Sequence, residues 1–206
     1  MGRLRFRSDG TAALEIAGAT GGASGAGARI GYGLAATDCG AILAAETEHG
    51  LCWVGIAESA ERLLRELRAD LPKTEAIAEN SAAAGTAHRV ADFVRNGGES
   101  LEFALDIRAT PFQLAVWREL CSIPRGQTRS YGEIAQRIGN PNAARAVGHA
   151  NGSNPLALLI PCHRAIGAGG ALTGYRWGVE IKRRLLAHEQ AQARPRLILS
   201  GAIGAG

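Results

Sequence analysis

The sequence predicts an α/β N-terminal lobe followed by a C-terminal lobe that is mostly α-helical. Three short apolar runs, at residues 30–36, 41–45 and 51–56, are separated by turn signals and are typical of strands. From residue 108 onwards, helix-capping sequences and apolar residues three or four positions apart are typical of helices. The 206 residues are enough for one large domain or two small ones.

Two further elements complete the predicted N-terminal lobe, residues 30–107. Ser59 to Asp70 predicts a helix because Leu63, Leu64 and Leu67 fall on one face. Leu101 to Ile107 predicts another strand.

Both ends of the chain predict flexible tails. Residues 1–29 begin with a basic segment and continue with Gly, Ala, Ser and Thr, and residues 191–206 have a similar composition. We therefore expect the folded part to consist of the lobes 30–107 and 108–190.

Two capping boxes mark helix starts in the second lobe. Thr110 and Gln113 flank a proline at the first helical position, and Ser130 and Glu133 repeat the spacing. The last helix is expected over 178–189, with Ile181, Leu185 and Glu189 on one face.

A helix-turn-helix is predicted after Ser130. The helix that starts there ends at Gly139-Asn140-Pro141, and Asn142 is expected to cap a third helix from Ala143 to about Asn151. Small residues dominate this third helix, so Arg145 is its single long basic side chain, able to probe between bases in a narrow groove. The alternative is an ordinary packed Ala-rich helix along which Arg145 extends.

Charge separates the two lobes. Residues 30–107 carry 6 Lys and Arg against 13 Asp and Glu, whereas residues 108–189 carry 11 against 4. The basic lobe therefore favours a polyanion such as nucleic acid. No apolar stretch approaches the roughly 20 residues that span a bilayer, so no membrane partner is expected. The four cysteines show no metal-ligand spacing, which indicates free thiols in the cytoplasm and no metal.

The apolar run 156–160 ends at Pro161 and predicts a buried strand that stops directly before Cys162 and His163. A cysteine attacks as its thiolate, and an adjacent imidazole helps to remove the proton from a thiol whose ordinary pKa is roughly 8.5. Cys162 is therefore the candidate nucleophile. The alternative for this segment alone is a small buried residue beside an unrelated histidine, since free cysteines are often buried.

Several motifs occur in a fixed order along residues 30–189. They are Leu105-Asp106-Ile107-Arg108-Ala109-Thr110-Pro111-Phe112-Gln113, Val116-Trp117, Ser130-Tyr131-Gly132-Glu133-Ile134-Ala135, Ala144-Arg145-Ala146-Val147-Gly148, Asn154-Pro155, Ile160-Pro161-Cys162-His163-Arg164 and Gly174-Tyr175-Arg176-Trp177-Gly178. Through them the chain resembles the O6-alkylguanine-DNA alkyltransferases, or methylated-DNA–protein-cysteine methyltransferases, and in particular the alkyltransferase half of the adaptive-response protein Ada.

The resemblance implies a catalytic set of four residues. Cys162 resembles the thiol that accepts the alkyl group, and His163 resembles the base that takes its proton through a water. Glu189 resembles the carboxylate that orients this histidine, and Asn154 resembles the hinge residue that braces the turn before the thiol. The family also implies a ribonuclease-H-like topology for the N-terminal lobe.

A second set resembles the DNA- and base-binding residues of the family. Tyr131 resembles the residue that rotates the 3′ phosphate and touches the guanine. Arg145 resembles the finger that fills the gap left by a flipped nucleotide, and Tyr175 resembles a wall of the base pocket. The remaining members of this predicted set are Ala144, Ala165, Arg176 and Trp177.

Trp177 carries an expectation about pocket size. Most of residues 167–174 are Gly, Ala and Thr, so its indole is the one large apolar group of the loop implied to line the pocket. We expect it to crowd large O6 substituents and to leave room for a methyl group. The alternative is that Trp177 packs into the core and never meets substrate.

The activity implied is DNA repair by irreversible transfer of a methyl group from O6 of guanine, and also from O4 of thymine, to Cys162. Each molecule would react once, as a monomer on double-stranded DNA, without a cofactor because the damaged base is itself the donor. Only about 29 residues precede the matching region, so phosphotriester repair and transcriptional induction by Ada-type domains are not expected.

Two other functions remain open at this point. One is a lesion-binding module that recruits other repair proteins and does not need Cys162; the thiol together with His163 and Glu189 argues against it. The other is a helix-turn-helix regulator, which would need several polar base-reading side chains on the third helix.

Overall fold

The structure is a computed structural model that describes residues 2–7, 9, 11–16, 28–74, 76–97, 101–172 and 174–193. Within these residues, seven strands form one mixed sheet in the order β2-β1-β7-β5-β4-β3-β6. The strands are β1 Gly2–Phe6, β2 Ala12–Ile16, β3 Arg29–Thr37, β4 Gly40–Thr47, β5 Gly50–Ala57, β6 Ala76–Glu79 and β7 Glu102–Leu105.

Helices pack beside this sheet and build the second half of the chain. They are α1 Ala60–Asp70, α2 Ser81–Asn96, α3 Pro111–Cys121, α4 Tyr131–Arg137, α5 Ala144–Gly152 and α6 Val179–Ala193. A short parallel pair, β8 Arg129–Ser130 and β9 Ala165–Ile166, joins the start of α4 to the chain after Cys162. The architecture is thus an α/β lobe followed by a helical lobe, as predicted.

The prediction of a flexible tail over residues 1–29 is wrong for the start of the chain. Residues 2–6 and 12–16 form an antiparallel hairpin, and β1 pairs with β7 to extend the sheet. Leu4, Phe6 and Leu14 are buried in the core, while Arg3 and Arg5 point outward. This alternation of basic and apolar residues was the missed strand signal. The remaining tail segments, 17–27 and 194–206, lie outside the described residues.

The other predicted elements of the first lobe are confirmed. β3, β4 and β5 cover the three apolar runs, β7 lies inside 101–107, and the Ser59 side chain caps α1. Two elements were not predicted, β6 and α2. α2 approaches β3 so closely that a Cβ on Gly33 would lie 2.1 Å from the Ala84 nitrogen, so only glycine fits there.

Helix caps in the second lobe follow the sequence closely, with one exception. Both capping boxes form, at Thr110–Gln113 and at Ser130–Glu133. The predicted Asn142 cap is wrong, because α5 starts after Ala143 and no side chain caps it. Helix α3 is tied to α5 by the Trp117 indole, which donates a 2.8 Å hydrogen bond to the Ala150 carbonyl.

The predicted strand at 156–160 is also wrong. Only Leu156 bridges to the sheet, beside Val54, and residues 157–159 form turns. Leu158 adopts a left-handed φ of 73°, and the Ile160 amide donates to the Leu156 carbonyl at 2.9 Å. The segment is apolar because it is buried at the junction of the lobes, and apolar character alone does not distinguish a buried strand from a buried turn.

Candidate active site

A braced turn presents Cys162. The Asn154 side chain spans this turn, since its Nδ2 donates to the Ile160 carbonyl at 2.8 Å and its Oδ1 accepts from the Leu156 amide at 3.0 Å. Asn154 is itself buried, so both bonds are shielded from water. The chain then turns at Pro161 into a single 3₁₀ turn, Cys162–Arg164. These contacts fix the position of the thiol.

The His163 imidazole lies against the carboxylate of Glu189 on α6. The distance from His163 Nε2 to Glu189 Oε1 is 2.9 Å, and both side chains are buried. The other ring nitrogen, Nδ1, is buried without a hydrogen-bond partner among the described residues. His163 therefore has one nitrogen oriented by a carboxylate and the other available for a proton.

Arg164 holds the same carboxylate from a second direction. Its Nε lies 3.0 Å from Glu189 Oε2 and its Nη2 lies 2.8 Å from Oε1, a forked pairing of two planar groups. The Gly126 amide adds a bond to Oε2 at 3.2 Å. Glu189 is thus surrounded by donors and cannot easily turn away from His163.

Burial and charge set the protonation of this pair. Burial disfavours a charged carboxylate, but His163 and Arg164 outweigh it and hold the pKa of Glu189 well below its ordinary value. Burial lowers the pKa of His163, and Glu189 opposes only part of that shift. At neutral pH the imidazole is therefore neutral and able to accept a proton.

Burial likewise raises the pKa of the Cys162 thiol, so the resting side chain keeps its proton. The Asn154 amide, the Tyr175 hydroxyl and the Lys182 ammonium each work against this shift. Tyr175 Oη is buried and makes no hydrogen bond of ordinary geometry to any described residue, which leaves it available to the sulfur. Any attack by this sulfur therefore requires that its proton be removed.

Two buried cations near the thiol were not assigned a role from the sequence. Arg164 is the last residue of the thiol motif, and Lys182 lies on α6 one turn before Leu185. Lys182 Nζ donates to the Ala165 carbonyl at 2.7 Å and is fully buried. Its place on the same apolar helix face as Glu189 was the available signal.

A cavity of about 390 Å³ opens beside the thiol. Its lining residues are Tyr131, Gly148, Asn151, Gly152, Asn154, Cys162, Gly174, Tyr175, Arg176 and Trp177. This volume falls in the range of small-molecule sites, which is roughly 300–1,000 Å³. The structure thus brings Tyr131, Tyr175, Arg176 and Trp177 of the predicted base-binding set together with Cys162.

The rest of that set lies elsewhere. Arg145 is exposed near the start of α5, and Ala144 beside it is half-buried. Ala165 is fully buried in β9, so its side chain has no surface to offer a base. The Ala165 side chain packs in the hydrophobic core instead.

Trp177 combines the two alternatives that the sequence left open. It is 2% exposed and packs edge-on against Trp53, with ring centroids 5.4 Å apart, yet it also lines the cavity. The Arg176 guanidinium stacks 5.0 Å from the Trp177 ring and pairs with Glu66 and Asp70 of α1. Arg176 therefore links the two lobes, and its charge is already matched by two carboxylates.

The other three cysteines have different surroundings. Cys39, Cys52 and Cys121 are buried and free, and burial raises the pKa of both Cys52 and Cys121 to about 12. In the described part of the chain, no group of three or more His, Cys, Asp or Glu residues could hold a metal ion. Nor is any described helix long and apolar enough to cross a membrane.

Comparison with known proteins places this chain in a family. Residues 111–191 match the family described as 6-O-methylguanine DNA methyltransferase, DNA binding domain. Over 104 residues the chain is 58% identical to the methylated-DNA–protein-cysteine methyltransferase of Mycobacterium tuberculosis, a match covering 50% of this chain and 63% of that protein. Over 160 residues it is 38% identical to the bifunctional transcriptional activator/DNA repair enzyme Ada of Escherichia coli, covering 78% of this chain and 45% of Ada.

Solved structures agree with these matches over more of the chain. The structure of Mycobacterium tuberculosis OGT in complex with DNA superposes with a TM-score of 0.63 at 38% identity, covering 80% of this chain and 95% of that one. The O6-methylguanine-DNA methyltransferase of Pyrococcus kodakaraensis, at 19% identity and a TM-score of 0.62, shares the fold. The chain belongs to the methylated-DNA–protein-cysteine methyltransferase family.

Proposed function

We propose that this protein repairs DNA by transferring a methyl group from O6 of guanine, and also from O4 of thymine, to its own Cys162. The observation that carries the proposal is the arrangement around the thiol. Cys162 lines the cavity, and the next residue, His163, is a buried histidine with one nitrogen unpaired and the other on the Glu189 carboxylate. A lesion-binding module has no need of such an acid–base pair.

The chemistry is a single displacement. Cys162 loses its proton, through a water, to Nδ1 of His163, and Glu189 stabilises the imidazolium that forms. The sulfur attacks the methyl carbon as the carbon–O6 bond breaks, and the base leaves as the unmodified guanine after protonation. A thioether is not readily reversed, so each molecule acts once, and the damaged base supplies everything transferred.

In this proposal the helical lobe binds the DNA. Helices α4 and α5 pack together, and we assign them as the two helices of a helix-turn-helix, with Arg145 exposed on the second helix. Tyr131, the first residue of α4, also lines the cavity, so this helix pair adjoins the site. A flipped nucleotide would enter the cavity while Arg145 fills the vacated stack, which offsets part of the unstacking cost of a few kcal/mol.

The remaining family features are proposals of the same kind. We assign the N-terminal lobe to the ribonuclease-H-like type, extended by the β1–β2 hairpin, and the boundary between the lobes to residues 107 and 108. A cytoplasmic location is supported by four free cysteines, and a monomeric state by the resemblance.

Intact-protein mass spectrometry tests the activity directly. After incubation with duplex DNA containing one O6-methylguanine, one methyl group should replace the thiol hydrogen, so the protein should gain the mass of one CH2 group and never of two. DNA with unmodified guanine is the control. A protein that binds the lesion and keeps its mass would be a lesion-binding module.

Arg145→Ala should separate base flipping from chemistry. We expect transfer from duplex DNA to slow far more than transfer from single strands, because no stack must be opened in a single strand. The matched control is Arg68→Ala, which removes another exposed arginine, from α1 in the acidic lobe. Single-turnover rates on both substrates provide the measurement, and equal losses for Arg145→Ala would show that it acts elsewhere.

Pocket size gives a prediction for Trp177. We expect methyl to be transferred fast and benzyl slowly, because the indole forms part of the cavity wall. Trp177→Gly should raise the rate of benzyl transfer. It would also remove a core side chain, which lowers the free energy of unfolding by about 3–5 kcal/mol. Trp177→Phe is the milder test and should raise benzyl relative to methyl transfer. If the ratio of the two rates does not change, the indole is structural.

A further inference from the structure

Asn151 has an unsatisfied polar atom at the cavity. It is the penultimate residue of α5 and is 6% exposed, and its Oδ1 has no hydrogen-bond partner among the described residues. Buried polar groups in native proteins are nearly always paired. Because Asn151 lines the cavity beside Cys162, a ligand in that cavity is the natural source of the missing donor.

The neighbouring helix surface leaves room for such a ligand. Gly148 lies three residues before Asn151, on the same face of α5, and also lines the cavity. A Cβ on Gly148 would meet no atom within 4 Å, so the space in front of it is open. Asn151 therefore adjoins open space along α5, where a flat base has room.

The chemistry of the damaged base selects one partner for this oxygen. If the protein acts on O6-alkylguanine as proposed above, O6 carries the alkyl group and N1 has no hydrogen. N3 and N7 are also acceptors, and N9 is bonded to the sugar. The exocyclic 2-amino group is then the only donor on the base. We propose that Asn151 is a specificity-determining residue whose Oδ1 accepts a hydrogen bond from this amino group.

This contact would also rank the substrates. O4-methylthymine has no amino group, and its O2 is an acceptor that would face the Asn151 oxygen without a hydrogen between them. A site that leaves its own buried acceptor unpaired binds such a substrate less well. Transfer from O4-methylthymine is therefore slower than from O6-methylguanine.

Removing the 2-amino group from the damaged base tests the contact with Asn151. Methyl transfer to Cys162 is timed with duplexes containing O6-methylguanine or O6-methylhypoxanthine, which lacks only the 2-amino group. The unmodified protein should prefer the guanine by about tenfold, the value of one hydrogen bond. Loss of the amino group also weakens base pairing and eases flipping, so this preference opposes the effect of the duplex.

Variants assign the preference to Asn151. In Asn151→Ala the ratio of the two rates should fall towards one, whereas Asn151→Asp retains an acceptor and should keep the preference for guanine. Tyr175→Phe removes the other unpaired oxygen at the cavity and serves as the matched control. Its rates should fall on both substrates with the ratio unchanged, because its hydroxyl acts on the sulfur.

The outcomes are distinguishable. An unchanged ratio in Asn151→Ala, or a ratio near one in the unmodified protein, would overturn the role of Asn151. A ratio that collapses in Tyr175→Phe instead would assign the amino group to the tyrosine. If neither DNA methylates Cys162, the proposed function itself fails. Continued transfer from O6-methylhypoxanthine shows that each variant is folded.

Discussion

Cys162→Ala is expected to take up no methyl group from DNA containing O6-methylguanine, whereas single alanine variants of Cys39, Cys52 and Cys121 keep full transfer. The four thiols are all buried, so burial does not distinguish them. What distinguishes Cys162 is its neighbours: the Asn154 amide, the Tyr175 hydroxyl and the Lys182 ammonium all favour its thiolate.

Peptide mapping after reaction is the measurement. The methyl group should be found only on the peptide that contains Cys162. Methylation of another cysteine, or uptake by Cys162→Ala, would contradict the assignment. Cys121 is the most demanding control, because it is completely buried and close enough to Cys162 and Arg164 for their charges to affect its pKa.

Local signals in the sequence predicted the helices well. Capping boxes at Thr110 and Ser130 depend on hydrogen bonds within one turn, so four residues contain all the information. The Asn142 cap failed although its residue type was right, because the chain enters α5 one residue later. Residue type predicts that a cap is possible, and backbone geometry decides where it forms.

The two strand errors have a different origin. Gly2–Phe6 is a strand because it pairs with β7, about a hundred residues away, and 156–160 is a turn because Asn154 ties its ends together. Neither partner is visible in a local window of apolar residues. Pairing with a distant strand decided the first outcome, and hydrogen bonds from a nearby polar side chain decided the second.

The active site was predictable only as far as the family resemblance reached. Cys162 and His163 are adjacent, but His163 and Glu189 meet across 26 residues, a distance no periodicity encodes. Arg164 and Lys182 were missed because a charged residue is rarely buried unless it has a partner, and the sequence does not show those partners. Their partners, the Glu189 carboxylate and the Ala165 carbonyl, became evident only in three dimensions.

Glu189→Ala is expected to lower the free energy of unfolding by about 3–5 kcal/mol at neutral pH, because it leaves the fully buried Arg164 cation without its carboxylate. Urea unfolding followed by tryptophan fluorescence measures this, since all three tryptophans are buried. The matched control is the double variant Arg164→Met/Glu189→Leu, which strands no charge and should recover much of the loss. Transfer should remain impaired in it, because His163 has still lost its partner.

The difference in free energy of unfolding between the unmodified protein and Glu189→Ala should depend on pH, because the ionised carboxylate causes it. Glu189 has a depressed pKa in the folded protein, whereas its ordinary value is 4.5. Its contribution is therefore complete above that value and is lost as the pH falls below it, where the unfolded chain binds a proton that the folded protein does not. The gap in stability between the unmodified protein and Glu189→Ala should narrow in that acidic range. A gap that stays constant there would mean that the side chain stabilises the fold by packing, and its charge would then serve only to orient His163.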